Sequence, residues 1–259
     1  MRALYDRDGG VGEIFSGKAD DYNASRPDYP ASLFDALRNT CNLSSGSFVA
    51  DIGAGTGLLT KGLLQQGFRV VAVEPNASMR KVCDRLLHRF PGYRSVDGSA
   101  EKLPIEASSV DLITAGQAFH WFEIDKARLE FNRVLRPNGQ VALIWNDRVF
   151  EDPLHRALDE LFAQFGGTKR AALAAHEKRG DVPKFFGTTI PIEFTWPHEQ
   201  SLNQAGLESL VFSRSYMPER DSSPGREISH RLERIYKDQA RAGLVAVRYT
   251  TMVKIGRPQ

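Results

Sequence analysis

The chain has 259 residues, enough for one large domain with a sizeable core and too few for two full enzymes. Charged residues make up 25% and hydrophobic residues 41%, values typical of a folded globular protein rather than a disordered or fibrous one. The formal net charge is +2, from 34 basic and 32 acidic residues, so no overall field favours nucleic acid or an anionic membrane.

Cysteine content and apolar runs bear on the compartment. Only Cys41 and Cys83 are present, and their wide separation argues against a disulfide framework and suits a reducing environment. No apolar run approaches the roughly 20 residues of a membrane span, and the first residues lack the hydrophobic region of a signal peptide. We therefore expect a cytoplasmic protein that does not bind membranes.

The first 30 residues are polar and rich in glycine and proline, which predicts an arm over 1–30 rather than a packed element. A short helix is predicted over 31–39, where Leu33, Phe34 and Leu37 share one helical face. The packed core is therefore expected to begin near residue 31.

From residue 47 the pattern alternates between strands and helices. Strands are predicted at 47–52, 68–74, 93–97, 110–116 and 140–146. Helices are predicted after the GAGTG loop as far as Gly67, from about Ala77, and near 124–136. Several strands are apolar on both faces, so we expect an α/β fold with a doubly wound, mostly parallel sheet covered by helices on both sides.

Beyond residue 148 this alternation ends. Asp152 before Pro153 predicts a capped helix that stops at Gly166. Further helices are predicted near 169–179, 202–211 and 226–242, and late strands over 192–196 and 247–255. Two late strands extend the sheet to seven, which divides the chain into the arm (1–30), a core (31–147), and a helical lid with the last two strands (148–259).

Three glycines lie where the first predicted strand meets its helix. Gly53, Gly55 and Gly57 follow Asp51 in the sequence DIGAGTG, at the position where a doubly wound sheet binds ligands. Glycines there let the backbone turn sharply and let a ligand approach the main chain. The spacing is G-x-G-x-G, and Leu58 takes the place of the next glycine, which weakens the case for a nicotinamide cofactor. Taken alone, the loop is equally consistent with a purely structural turn.

A carboxylate supports a nucleoside site. Glu74 ends the second predicted strand, seventeen residues after Gly57. A carboxylate in this place can accept two hydrogen bonds from a ribose diol, which suits a nucleoside without a 2′-phosphate. A solvated acid at a strand end is the alternative.

Around these residues the sequence resembles the class I S-adenosylmethionine-dependent methyltransferases. VADIGAGTG matches their first motif, VVAVEPNASM the second, DGSAEKLPIEASSVDLITAGQAFHWF the third and fourth, and RVLRPNGQVALI the fifth. FSGKADDYNASRPDYP and QAFHWF are similar to the small-molecule enzymes related to trans-aconitate methyltransferases, in the methyltransferase type 11 group. The resemblance implies a Rossmann-like seven-stranded fold, S-adenosylmethionine as cofactor and S-adenosylhomocysteine as product.

The resemblance also implies which residues contact the cofactor. They are Asp51, Gly53, Ala54, Gly55, Gly57, Gln117 and Ala118 around the methionine end, Glu74 at the ribose, Pro75, Asn76, Met79, Ser99 and Ala100 near the adenine, and Tyr22 and Arg26 closing over the ligand. Family members place an acid in the stretch written GDAE, where this chain has Ser99, so a serine bond or backbone contacts at Ala100 would take its place. For Arg26, an ordinary loop arginine beside a proline is nearly as good an explanation.

The segment after the fourth strand is expected to border the methyl acceptor. Phe119, His120 and Trp121 would line the substrate pocket. His120 is the best candidate general base for a hydroxyl or amine acceptor, because imidazole titrates near working pH. A carboxylate acceptor would need no base, and His120 would then only position the ligand within an aromatic wall.

Other kinds of site find less support in the sequence. The histidines show no H-x-x-x-H spacing and the cysteines no C-x-x-C spacing, so no metal is expected. The basic helix near 226–242 has an apolar face typical of a docked helix, so no nucleic acid partner is expected. We expect a monomer or homodimer that methylates a small molecule, with a carboxylate or hydroxyl oxygen slightly favoured. A noncatalytic adenosyl-binding module and a nicotinamide-dependent oxidoreductase remain alternatives.

Overall fold

The structure is a computed structural model that describes residues 18–171 and 179–259. Its strands are β1 (Phe48–Ile52), β2 (Arg69–Val73), β3 (Tyr93–Val96), β4 (Val110–Gly116), β5 (Leu135–Arg148), β6 (Ile192–Leu202) and β7 (Val245–Gly256). The helices that matter here are α1 (Ala19–Ser25), α2 (Ala31–Thr40), α3 (Leu58–Gln65), α4 (Ala77–Leu87), α5 (Ile124–Val134), α6 (Pro153–Phe165), α7 (Asp181–Phe186), α8 (Gln204–Phe212) and α9 (Ser223–Gln239). Over these ranges no helix is both long enough and apolar enough to cross a membrane.

The seven strands form one sheet in the order β3-β2-β1-β4-β5-β7-β6. The pairs from β3 to β5 are all parallel, whereas β7 pairs antiparallel with both β5 and β6. Because only β7 runs against the others, the sheet is mixed but mostly parallel. The predicted doubly wound, seven-stranded fold is confirmed.

Three strands are longer than the sequence pattern predicted, and β6 and β5 differ from it more than β7 does. β6 continues from Ile192 to Leu202 and pairs with β7 throughout, although the prediction ended at 196. Pro197 breaks the β pattern, but β6 is an edge strand, where a residue without an N–H is tolerated. β5 likewise covers 135–148 rather than 140–146, with a shift of register opposite β4.

The predicted arm contains a packed helix. Ala19–Ser25 forms α1, and its Ala19 and Tyr22 pack against Met79 and Val82 of α4. The first residues of the predicted arm, and residues 172–178 of the helix predicted near 169–179, lie outside the described part of the chain. From residue 18 onward, the region predicted as an arm is therefore docked on the core.

The core lies on both faces of the sheet because side chains alternate along each strand. On β1, Ala50 and Ile52 join the cluster covered by α5 and α7, whereas Val49 joins the cluster covered by α2, α3 and α4. A third cluster joins α6, α8 and α9 to the start of β7. Phe185 and Phe186 of α7 are fully buried in the first cluster, so α7 covers the sheet rather than forming part of a lid.

The close packing of α3 on α2 gives a stability prediction. A Cβ at Gly62 would lie 2.1 Å from Cζ of the buried Phe34 ring. We expect Gly62→Ala to destabilise the chain by about 1–3 kcal/mol through overpacking, despite the better helix propensity of alanine. Chemical denaturation of the variant and the original chain measures this difference in the free energy of unfolding.

Gly180→Ala is the matched control, because its Cβ would meet nothing within 4 Å and its φ is −57°. It should change stability by less than about 0.5 kcal/mol. Adding Phe34→Leu to Gly62→Ala should recover part of the loss. Equal stability of Gly62→Ala and the original chain would contradict the packing argument.

Candidate active site

A cavity of about 980 Å³ opens above the carboxyl ends of β1, β2 and β4. It is bordered by the glycine loop after β1, by α1, by the turn after β4, by the end of β5 and by later residues at 179, 214–216 and 249. Its volume lies at the upper end of the range for ligand sites, about 300–1,000 Å³. One cavity of this size has room for two small molecules side by side.

The three glycines of the loop have different roles. Gly53 has φ +69°, and a Cβ there would lie 2.6 Å from that of Ala118. Gly55 has φ +57° and open space where its Cβ would be, so a ligand can approach the main chain at this point. Gly57 instead packs against Cys83, 2.6 Å from the Cβ position, and does not line the cavity. The cofactor contact of Gly57 stays a prediction, and the structure shows a packing role for this residue.

Glu74 connects the two strand ends. Its Oε2 accepts a hydrogen bond from Gly55 N at 2.9 Å and its Oε1 accepts one from Asn76 N at 2.9 Å. The residue lines the cavity but is only 9% exposed, and burial raises the pKa of its carboxyl group. A buried charge held by two backbone N–H groups is a fixed acceptor for further hydroxyl donors.

Asp51 lies deeper in the same crevice and is 1% exposed. Its carboxylate accepts hydrogen bonds from Thr60 Oγ1 at 2.6 Å and Thr114 Oγ1 at 2.9 Å. Burial raises the pKa of Asp51 to about 6, although these hydroxyls favour the charged form. The carboxylate therefore connects the end of β1 to α3 and β4.

The predicted adenine end is lined largely by apolar residues. Pro75, Met79, Ser99 and Ala100 line the cavity there, and Ala100 is buried. Asn76 does not line it, because its Oδ1 caps α4 by accepting from Met79 N at 2.8 Å. The expected place of Asn76 near the adenine stays a prediction, and its side chain holds the start of α4.

The turn after β4 brings main chain to the cavity. Gln117 has φ +56°, a conformation that non-glycine residues seldom adopt. Its N–H donates to Ile144 O at 2.9 Å and its Nε2 to Asn146 O at 3.0 Å, and these bonds to β5 stabilise the turn. Gln117 and Ala118 both line the cavity.

The aromatic residues after this turn divide between core and cavity. Phe119 is 4% exposed and meets Trp145 and Phe185 edge to face, with ring centroids 6.3 Å and 5.3 Å away. His120 and Trp121 are less buried and lie against each other, with centroids 4.8 Å apart. All three border the cavity, with Phe119 mainly supporting the other two from the core.

The predicted closing residues of α1 also lie at the cavity. Tyr22 and Arg26 both line it, and the Arg26 guanidinium lies 4.7 Å from the centre of the Tyr22 ring. Arg26 Nε also donates to Ser213 Oγ at 3.1 Å. These contacts hold the Arg26 side chain in place, so it is not a freely solvated loop arginine.

Sequence reasoning missed three arginines that line this cavity. Arg148 pairs with Asp159 at 3.0 Å, and Arg179 pairs with Asp147 and lies 4.2 Å from the Trp145 ring centre. Arg214 lies 4.3 Å from the centre of the Phe162 ring. Neither hydrophobic periodicity nor short motifs mark such residues, because they come from three separate segments.

Arg214 differs from the other two. Within residues 18–171 and 179–259 no carboxylate pairs with it, and its Nε is buried without a hydrogen-bond partner. Burial lowers the pKa of Arg26, and the nearby positive charge of Arg214 lowers it further. Burial raises the pKa of Tyr249, while the nearby Arg214, Arg26 and Arg148 act to lower it. This part of the cavity is therefore positive.

Comparison with known proteins agrees with this geometry. A family profile described as "Methyltransferase domain" matches residues 50–143. An uncharacterized methyltransferase from Schizosaccharomyces pombe is 39% identical over 180 residues, 69% of this chain and 69% of that protein. One from Mycobacterium tuberculosis is 34% identical over 214 residues, 83% of this chain and 80% of the relative. The chain belongs to the class I S-adenosylmethionine-dependent methyltransferases.

A solved structure supports the same fold. It is described as a proposed type II methyltransferase from Anaeromyxobacter dehalogenans, and it covers 90% of this chain and 97% of its own at a TM-score of 0.64 and 24% identity. The family resemblance inferred from the motifs is confirmed. A methyltransferase is therefore favoured over a nicotinamide-dependent oxidoreductase or a noncatalytic module.

The raised pKa of Asp51 gives a pH prediction. The folded chain holds a proton on Asp51 up to about pH 6, whereas the unfolded chain loses it near pH 4. The stability contributed by the protonated carboxyl is therefore lost as pH rises from about 4 through about 6. Asp51→Asn cannot ionise, so its stability relative to the original chain should rise by about 2 kcal/mol between about pH 4.5 and about pH 7.5.

Denaturation at several pH values measures this difference. Asp97→Asn is the control, because Asp97 has an exposed side chain beside Arg80 and its removal should give nearly parallel curves. Parallel curves for Asp51→Asn would show that Asp51 does not titrate as its burial requires.

Proposed function

We propose that the cavity binds S-adenosylmethionine against the glycine loop and Glu74, and that the chain transfers the methyl group to a small acidic molecule beside Arg214. The observation that carries the proposal is the unpaired guanidinium of Arg214, which borders the same cavity as Gly55 and Glu74. A positive site next to a nucleoside site suits an anionic second ligand.

The described residues fit an adenosyl cofactor. Gly55 leaves open space above the loop, and each Glu74 oxygen uses one of its two lone pairs on a backbone N–H, which leaves room for two ribose hydroxyls. Thr56 Oγ1 lines the cavity and is buried without a partner among the described residues. Such an orphaned hydroxyl is satisfied when a polar ligand is bound.

The sulfonium of the bound cofactor supplies a methyl group already activated for in-line attack. The chain mainly has to orient the acceptor and exclude water. Tyr22, Trp121 and Phe150 border the cavity with aromatic surface that serves the second purpose. Gln117 and Ala118 bring main chain close to where the methionine end would lie.

The acceptor class follows from the charges. Arg26, on the arm over the proposed cofactor site, can neutralise one carboxylate, and Arg214 can hold a second by charge-assisted hydrogen bonds. A carboxylate is ionised at neutral pH, so its methylation needs no general base. In that reaction His120 forms part of the wall with Trp121 and positions the acceptor; a hydroxyl acceptor would make His120 the base.

Glu74 tests the cofactor part of the proposal. Glu74→Gln removes the charge that would hold the ribose, so affinity for S-adenosylhomocysteine should fall by about 10- to 150-fold, equivalent to roughly 1.5–3 kcal/mol. Calorimetry measures the affinity, with a melting curve to confirm folding. Asp97→Asn is the control for loss of a nearby exposed acid and should bind normally. Unchanged affinity in Glu74→Gln would show that Glu74 does not hold the ribose of the cofactor.

Arg214 tests the acceptor part. Given S-adenosylmethionine and a panel of mono-, di- and tricarboxylic acids, phenols and amines, the original chain should methylate acids. Arg214→Met should lower kcat/KM for the best acid by about 10- to 100-fold through loss of a charge-assisted contact, with little change in cofactor affinity.

Arg226→Met is the matched control, since Arg226 lies exposed on α9, and it should keep full activity. Methylation of phenols or amines but of no acid would overturn the acidic-acceptor proposal. Equal activity of Arg214→Met and the original chain would show that Arg214 does not bind the acceptor.

A further inference from the structure

Lys18 is a buried lysine next to α1. It is 7% exposed, and its Nζ donates to Phe212 O at 3.1 Å, Arg214 O at 3.2 Å and Met217 O at 3.0 Å. An ammonium group has three hydrogens, so these contacts use all of them. The three carbonyl groups belong to one short stretch, residues 212–217, which we call the acceptor segment.

The acceptor segment follows α8 and contributes side chains to the cavity. Arg214, Ser215 and Tyr216 line it, directly beside the carbonyls that Lys18 holds. Three backbone oxygens directed at one point repel each other unless a cation lies between them. The Lys18 ammonium group is such a cation for the backbone that carries Arg214.

The other end of α1 contacts the same segment. Arg26 Nε donates to Ser213 Oγ at 3.1 Å, so the segment is held from both ends of one helix. The face of α1 with Ala19 and Tyr22 packs on Met79 and Val82, next to the proposed adenine end. α1 thus touches the cofactor half of the cavity and holds the acceptor half.

The chemistry of Lys18 is costly if its only task is attachment. Burial lowers the pKa of Lys18, which shows that desolvation disfavours its charge even with Glu219 and Asp21 nearby. An apolar side chain would attach α1 to α8 without this cost. An apolar side chain could not, however, fix three carbonyl groups at defined distances.

We propose that Lys18 is a positioning residue that fixes the acceptor segment so that Arg214 faces the cavity, and thereby links docking of α1 on the cofactor half to binding in the acceptor half. The identity of the second ligand rests on the proposed function. The role of Lys18 in fixing residues 212–217 is independent of the proposed function.

Lys18→Met tests the proposal because it keeps the length of the side chain and removes all three donors. Hydrogen exchange of the amides of residues 213–217 should become about tenfold faster or more. In protein saturated with S-adenosylhomocysteine, citrate serves as a tricarboxylate probe, and calorimetry should show about tenfold weaker binding. Affinity for S-adenosylhomocysteine should stay within about threefold, a split that a general loss of structure would not produce.

Two further variants complete the design. Lys126→Met removes an exposed lysine beside Glu123 and should match the original chain in every measurement. Lys18→Gln keeps two donors and should give intermediate exchange rates and intermediate citrate affinity. If Lys18→Met does not fold, Lys18→Gln tests the positioning role in its place.

Unchanged exchange at 213–217 in the Lys18 variants would overturn the proposal, as would an equal loss of citrate and S-adenosylhomocysteine affinity in a folded variant. If the original chain binds no citrate, the acidic-acceptor class fails, and the exchange rates still decide the role of Lys18.

Discussion

The site depends on one charged interaction, the Glu74 carboxylate between Gly55 N and Asn76 N. It joins the loop after β1 to the end of β2, two segments that the parallel register brings side by side. A carboxylate bonded to two main-chain donors can hold a left-handed glycine turn open, because the bonds replace side-chain packing that glycine lacks. Once this turn is fixed, the positions of Gly53 against Ala118 and Gly57 against Cys83 follow from close packing.

Desolvated charges recur around the cavity and are compensated in different ways. Asp51 is compensated by two threonine hydroxyls, Lys18 by three carbonyls, and Arg179 by Asp147. Arg214 has aromatic faces beside it but no carboxylate partner within the described residues. Burying a charge without a partner is unfavourable, so this arginine is where the protein retains the most capacity to bind an anion.

Sequence reasoning recovered the sheet because its signal is local: apolar strands, glycine turns and capped helices each occupy a few adjacent residues. It ended β6 too early because Pro197 is unfavourable in a central strand, and the sequence does not show that β6 lies at an edge. It placed the glycine loop and Glu74 together because parallel strands end at the same edge. It missed Arg148, Arg179 and Arg214 because only the tertiary fold brings those three segments to one cavity.

The described part of the arm is attached by polar contacts as well as by the apolar packing of α1 on α4. Asn146 is an example: its Nδ2 donates to Asp28 O at 3.1 Å, its Oδ1 accepts from Thr251 at 2.6 Å, and its carbonyl accepts from Gln117. Such bonds are directional and set positions accurately, but each contributes only about 1 kcal/mol net. The polar bonds therefore set the position of the arm, while the packing of Ala19 and Tyr22 on α4 adds the apolar burial that stabilises it.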